Sequence, residues 1–155
     1  MKRLFFAALL TLCCVAPALA SYNIGAPVCV PVDNFGWGLV FSPMEGASGS
    51  PVMLWVIPGG AYAGSVAANR AAEVRRRFAG HHASMRDGAA VGQIYAARNV
   101  GSDDWSVILE GFANGKWVQT ELITVDRRTS SPYGAAPREL AQFWAMRLKA
   151  LTMAG

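Results

Sequence analysis

The sequence predicts an α+β fold with a mostly antiparallel sheet of about five strands and two helices on one face. Three observations carry that expectation. Asn114-Gly115 joins two apolar-rich runs, and this dipeptide accepts the positive φ angles of a two-residue hairpin turn. Val52 to Ile57 is a six-residue apolar run between Pro51 and Pro58, the length and punctuation of a buried strand. Two further segments, one central and one C-terminal, repeat apolar residues at helical spacing.

Taken in order, Phe35 to Ser42 reads as a strand. Gly36 and Gly38 inside it point to a bulge or a close backbone approach. Val52 to Ile57 is the second strand. Val66 to Ala79 is a helix, with Ala67, Ala71, Val74 and Phe78 on one face, Ser65 as its cap and Gly80 as its stop. Gly92 to Asn99, Trp105 to Ala113 and Lys116 to Asp126 are strands. In the last of these the alternation is imperfect, because Leu122 and Ile123 are adjacent. Arg127 to Ala136 reads as a polar loop. Pro137, at home in a first helical turn, opens the final helix. Its apolar stripe is Leu140, Phe143, Trp144, Leu148 and Leu151, and its wet side is Arg138, Gln142, Arg147 and Lys149. The order is β-β-α-β-β-β-α.

The first twenty residues read as a secretory signal peptide. Lys2 and Arg3 precede the apolar run Leu4 to Val15, and Ala18-Leu19-Ala20 supplies small residues for cleavage before Ser21. The expected location is therefore periplasmic or extracellular, in a bacterial style of export. Removing twenty residues from 155 leaves 135, one domain over 21–155. Cys13 and Cys14 leave with the signal, so Cys29 is the lone cysteine and no internal disulfide is expected. Lys2 and Arg3 leave too, so the net charge falls from +4 to +2. That balance excludes the strongly basic profile of a nucleic-acid binder.

Charge is unevenly placed. Ser21 to Asn69 has no Lys or Arg, and Asp33 and Glu45 are its acidic residues. Arg70, Arg75, Arg76, Arg77 and Arg86 then stand against Glu73 alone, a local net of +4. Such a cluster suits an acidic protein surface or phosphate groups. Its plainer reading is a solvated helix back with a Glu73–Arg77 pair, Arg76 and Arg77 both on the wet side.

Other candidate chemistry is incomplete. Pro51 to Ser65, PVMLWVIPGGAYAGS, resembles the strand and Gly-Gly turn that build the oxyanion hole in esterases of the α/β-hydrolase family. Pro58 stands where that family has His, and the chain contains no G-x-S-x-G nucleophile elbow. Cys29 with His81 or His82 would be part of a cysteine hydrolase, but its extended apolar setting favours a packed or partner-linked thiol. His81 and His82 sit near a helix C-terminus, where positive charge is favoured. Asp103 and Asp104 are turn residues that could meet a cation. No metal or other cofactor is expected.

The functional expectation is a non-enzymatic exported binding protein acting by protein–protein contact: an inhibitor, an immunity-type antagonist or an accessory subunit of an envelope complex. Its partner would carry an acidic surface, met by Arg70, Arg75, Arg76, Arg77 and Arg86, with Trp37 as an apolar anchor. One alternative is a small envelope hydrolase using Cys29 or a serine such as Ser48 or Ser50. The other is a membrane-attached component, in which the uncharged residues 52–68 cross the bilayer ahead of the arginines.

Overall fold

The computed structural model describes residues 24–42, 50–59, 64–84, 90–113 and 115–153. The fold is α+β. The chain runs through β1 (Val28–Val32), β2 (Gly36–Phe41), β3 (Val52–Pro58), α1 (Gly64–Ser84), β4 (Ala90–Arg98), β5 (Trp105–Ala113), β6 (Lys116–Val125), α2 (Arg127–Ser130) and α3 (Pro137–Met153). A 3-10 turn, Ser131–Tyr133, lies between the last two helices. The strands form two antiparallel three-stranded sheets, β1-β2-β3 and β4-β5-β6, rather than one sheet of about five.

The extra strand is β1, whose sequence Val-Cys-Val-Pro-Val has no polar alternation to reveal it. Asn34, at a φ of 50°, turns it into β2. At the start of β2, Gly36 lies so close to β3 that a Cβ there would strike the Ile57 carbonyl. That is the close approach the strand glycines foretold. Across the β5–β6 hairpin, Gly115 adopts a φ of 74°, as the turn requires, while Asn114 lies outside the described residues.

A bulge in β3 and another in β6 explain the irregular apolar pattern. Leu39 pairs with Trp55 and Val40 with Met53, which leaves Leu54 as an extra residue in β3. Val107 pairs with Ile123 and Ile108 with Glu121, which does the same for Leu122 in β6. Each extra residue breaks the two-residue period, so Leu54–Trp55 and Leu122–Ile123 are adjacent pairs that are both buried.

The two helices join the sheets around one apolar cluster. α1 packs on β1, β2, β3 and β6, and α3 on β3, β4, β5 and β6. Ala67, Ala71, Val74 and Phe78 are buried on α1 as the spacing predicts. So are Leu140, Trp144 and Leu148 on α3, whereas Phe143 is exposed because it lies to the side of that stripe. The Trp55 and Trp144 rings stack at 5.4 Å, and the Trp55 Nε1 donates to the Trp144 carbonyl at 3.2 Å.

Three local expectations need correction. α1 does not stop at Gly80. It continues to Ser84 because His81 still packs inward and Gly80 stands in open space. Its first turn reaches back to Gly64, so Ser65 lies within the helix and is not its cap. Arg127 to Tyr133 is helical, not a loop: the Asp126 Oδ1 accepts from the Thr129 amide at 2.8 Å and starts α2. Val52–Pro58 is a strand, and among the described residues no helix is long and apolar enough to cross a membrane. The signal segment 1–20 lies outside the described residues.

Candidate interaction surfaces

The arginines of α1 separate by what they touch. Arg70 and Arg77 are seven residues apart, so they lie on one side of the helix, which runs beside the edge of β6. Arg70 donates from Nη2 to the Thr124 carbonyl at 2.5 Å and from Nη1 to the Thr129 hydroxyl at 2.9 Å. That hydroxyl donates onward to the Asp126 Oδ1 at 2.6 Å. Arg77 donates to the Glu121 carbonyl at 3.0 Å and to the Glu73 carboxylate at 2.7 Å. Both guanidiniums thus occupy outward carbonyls of an edge strand. Arg77 is half-buried at this contact rather than on the wet side.

Arg76 is the solvated member, with a side chain 74% exposed. It grips Glu73 through two nitrogens at 2.6 and 2.8 Å. Hydrogen bonds from Arg76 and Arg77 hold the Glu73 carboxyl down at about 2. The expected Glu73–Arg77 pair is therefore present, widened to a triad. Arg75 is exposed, and its charge reaches the Cys29 thiol. Arg86 lies outside the described residues. Trp37 is half-buried on β2 and packs against the core rim, opposite Pro31 and Ile57.

His81 departs from its helix-end expectation. It is 2% exposed, and its Nδ1 lies 2.8 Å from the Thr120 hydroxyl. Burial, helped by neighbouring His82, pushes its pKa down to about 4, so it is neutral at pH 7. Desolvation outweighs the favourable helix end. Arg70, Arg77 and His81 together form one polar seam between α1 and β6.

The remaining candidates are placed as follows. Cys29 is half-buried on β1, and burial pushes its thiol up, against the opposing charge of Arg75. A nucleophilic thiol needs the opposite shift. Ser50 is exposed, and Ser48 lies outside the described residues. Asp103 and Asp104 stand in the β4–β5 turn, and Asp103 pairs with Arg98 at 2.6 Å. With Arg127 they line an open cleft of about 580 Å³ beside the start of α3. Among the described residues no three His, Cys, Asp or Glu side chains gather as a metal site.

One surface was not legible in the sequence. The register of β4-β5-β6 puts Gln93, Tyr95, Ile108, Glu110, Phe112, Trp117, Gln119 and Glu121 on the same face. The opposite face sends Ile94, Val107 and Leu109 into the core under α3. On the open face Phe112 and Trp117 are direct cross-strand neighbours, edge to face at 5.5 Å. Trp117 is 66% exposed. Gln119 donates to the Tyr95 hydroxyl at 2.8 Å. The signal was present in the hairpin register: once Asn114-Gly115 is taken as the turn, Phe112 and Trp117 must face each other. Which face the helix covers was the missing information. No protein-family model, no curated protein and no solved structure matches this chain.

Proposed function

We propose that the protein is exported and acts as a non-enzymatic binding protein, through contact with another protein that carries an acidic surface. The observation that supports it best is Trp117, two-thirds exposed and braced by Phe112 on a sheet face that, among the described residues, carries no helix. A tryptophan held rigidly by a neighbour presents a large apolar area with little entropy left to lose, which is the usual character of an interface anchor. Arg75 and Arg76 supply the attraction to acidic groups: Arg70 and Arg77 are engaged with β6, whereas Arg76, though paired with Glu73, stays exposed. Exposed charges of this kind mainly speed encounter.

The test is a pair of variants measured against the partner recovered by crosslinking in the native cell envelope. Trp117→Ala should raise the dissociation rate by about tenfold or more, the equivalent of 1.4 kcal/mol. Reversing Arg75 and Arg76 to Glu should slow association and flatten its salt dependence. Unchanged rates in both variants, each shown to be folded, would remove the proposal.

A further inference from the structure

Two three-stranded sheets have four edges, and the molecule treats them differently. β1 is five residues long and contains Pro31, which has no amide to offer. On β3 the Val56 carbonyl accepts from the Tyr133 hydroxyl. On β6 the Glu121 and Thr124 carbonyls accept from Arg77 and Arg70. Short strands, proline and covering groups are the ways a protein blocks strand addition. Among the described residues β4 has none of these three, and its bulge lies at one end, between Val91 and Gln93. It is nine residues long and lacks proline, and among the described residues its main packing neighbours are β5 on its inner edge and α3 on its core face.

The direction of its outward groups follows from the ladder. The Asn99 amide donates to the Asp104 carbonyl at 2.9 Å, which makes those opposed residues a hydrogen-bonded pair. Alternation then turns Ala97, Tyr95 and Gln93 toward β5 and aims the amides and carbonyls of Ile94, Ala96 and Arg98 outward. The bulge at Gly92 ends the regular edge on the other side.

The geometry points to this edge as the site where a second copy of the chain adds, antiparallel, to make a continuous six-stranded sheet. Charge supports a self-pairing. About a two-fold axis at Ala96, Ile94 of one copy lies opposite Arg98 of the other, so the arginines never meet. Each Arg98 is also turned toward its own β4–β5 turn, bonded to the Ser102 carbonyl at 3.0 Å and Asp103 at 2.6 Å. A two-fold contact uses both β4 edges and stops at the dimer. This inference stands apart from the partner proposed above, because it uses the edge of the sheet and not Trp117.

The test is sedimentation equilibrium of the purified protein, with amide hydrogen exchange across a concentration series. A species of twice the chain mass is expected. The Ile94 and Ala96 amides should slow by about tenfold or more as dimer forms, while the Ala97 and Tyr95 amides, already bonded to β5, should change far less. Ala96→Pro deletes an outward amide and should give a monomer with an unchanged far-ultraviolet circular dichroism spectrum. Monomer mass at every concentration overturns the inference, as does a dimer that survives in folded Ala96→Pro protein. If that variant fails to fold, exchange at Ile94 and Ala96 in the unaltered chain decides: rates independent of concentration overturn it.

Discussion

α1 and α3 are both long amphipathic helices, yet they are attached by different physics. α3 lies on the face of β4-β5-β6 through Leu140, Trp144 and Leu148, and its contact is almost wholly apolar. α1 buries Ala67, Ala71, Val74 and Phe78, and adds to that apolar stripe a polar seam of Arg70, Arg77 and His81 along β6. An apolar contact tolerates imperfect direction but depends on volume. A polar seam depends on each bond being made, because every group it covers is desolvated.

That contrast can be broken by mutation or by pH. The largest effect should come from Trp144→Ala, which removes a fully buried ring stacked on Trp55. A loss of about 3–5 kcal/mol in a denaturant titration is expected. Next is acid. His81 is neutral when folded down to about 4, while the unfolded chain takes up its proton near 6.5. The unfolded state therefore binds more protons in that window. Stability is full above pH 6.5 and falls as pH drops toward 4, by about 3 kcal/mol at most. His81→Gln should flatten the slope. Glu73 titrates lower, between 4.5 and about 2, and leaves this window readable.

Arg70→Ala should cost about 1–3 kcal/mol by removing the donor to the Thr124 carbonyl and one partner of the Thr129 hydroxyl, which keeps its bond to Asp126. The smallest effect should come from Arg76→Ala. Its ion pair with Glu73 lies at the surface, and the unfolding midpoint should not move measurably. A larger loss at Arg76 than at Arg70 would invert the proposed division of the arginines.

The same division shows how far the sequence could be read. The β5–β6 hairpin, α3 and the buried face of α1 were legible because turn chemistry and apolar period state them directly. β1 was hidden, since its alternation is missing. The end of α1 was misplaced because Gly80 is a weak helix stop when the next turn has something to bury. The roles of Arg70 and Arg77 depend on which strand edge lies beside α1, and spacing along one helix cannot specify that. The bulges in β3 and β6 had the same effect: they turned regular strands into patterns that local periodicity scores poorly.

The stack of Trp55 on Trp144 makes the joint between the first sheet and α3 visible to light. Two indoles 5.4 Å apart, with planes only 17° from parallel, share their excited states instead of absorbing independently. Where their transition dipoles are twisted relative to each other about the stacking axis, such a pair gives a circular dichroism couplet that neither ring produces alone. The couplet would vanish when α3 lifts from β3, even if every helix and strand stayed formed. Loss of docking and loss of secondary structure therefore become two separate optical events in one unfolding experiment.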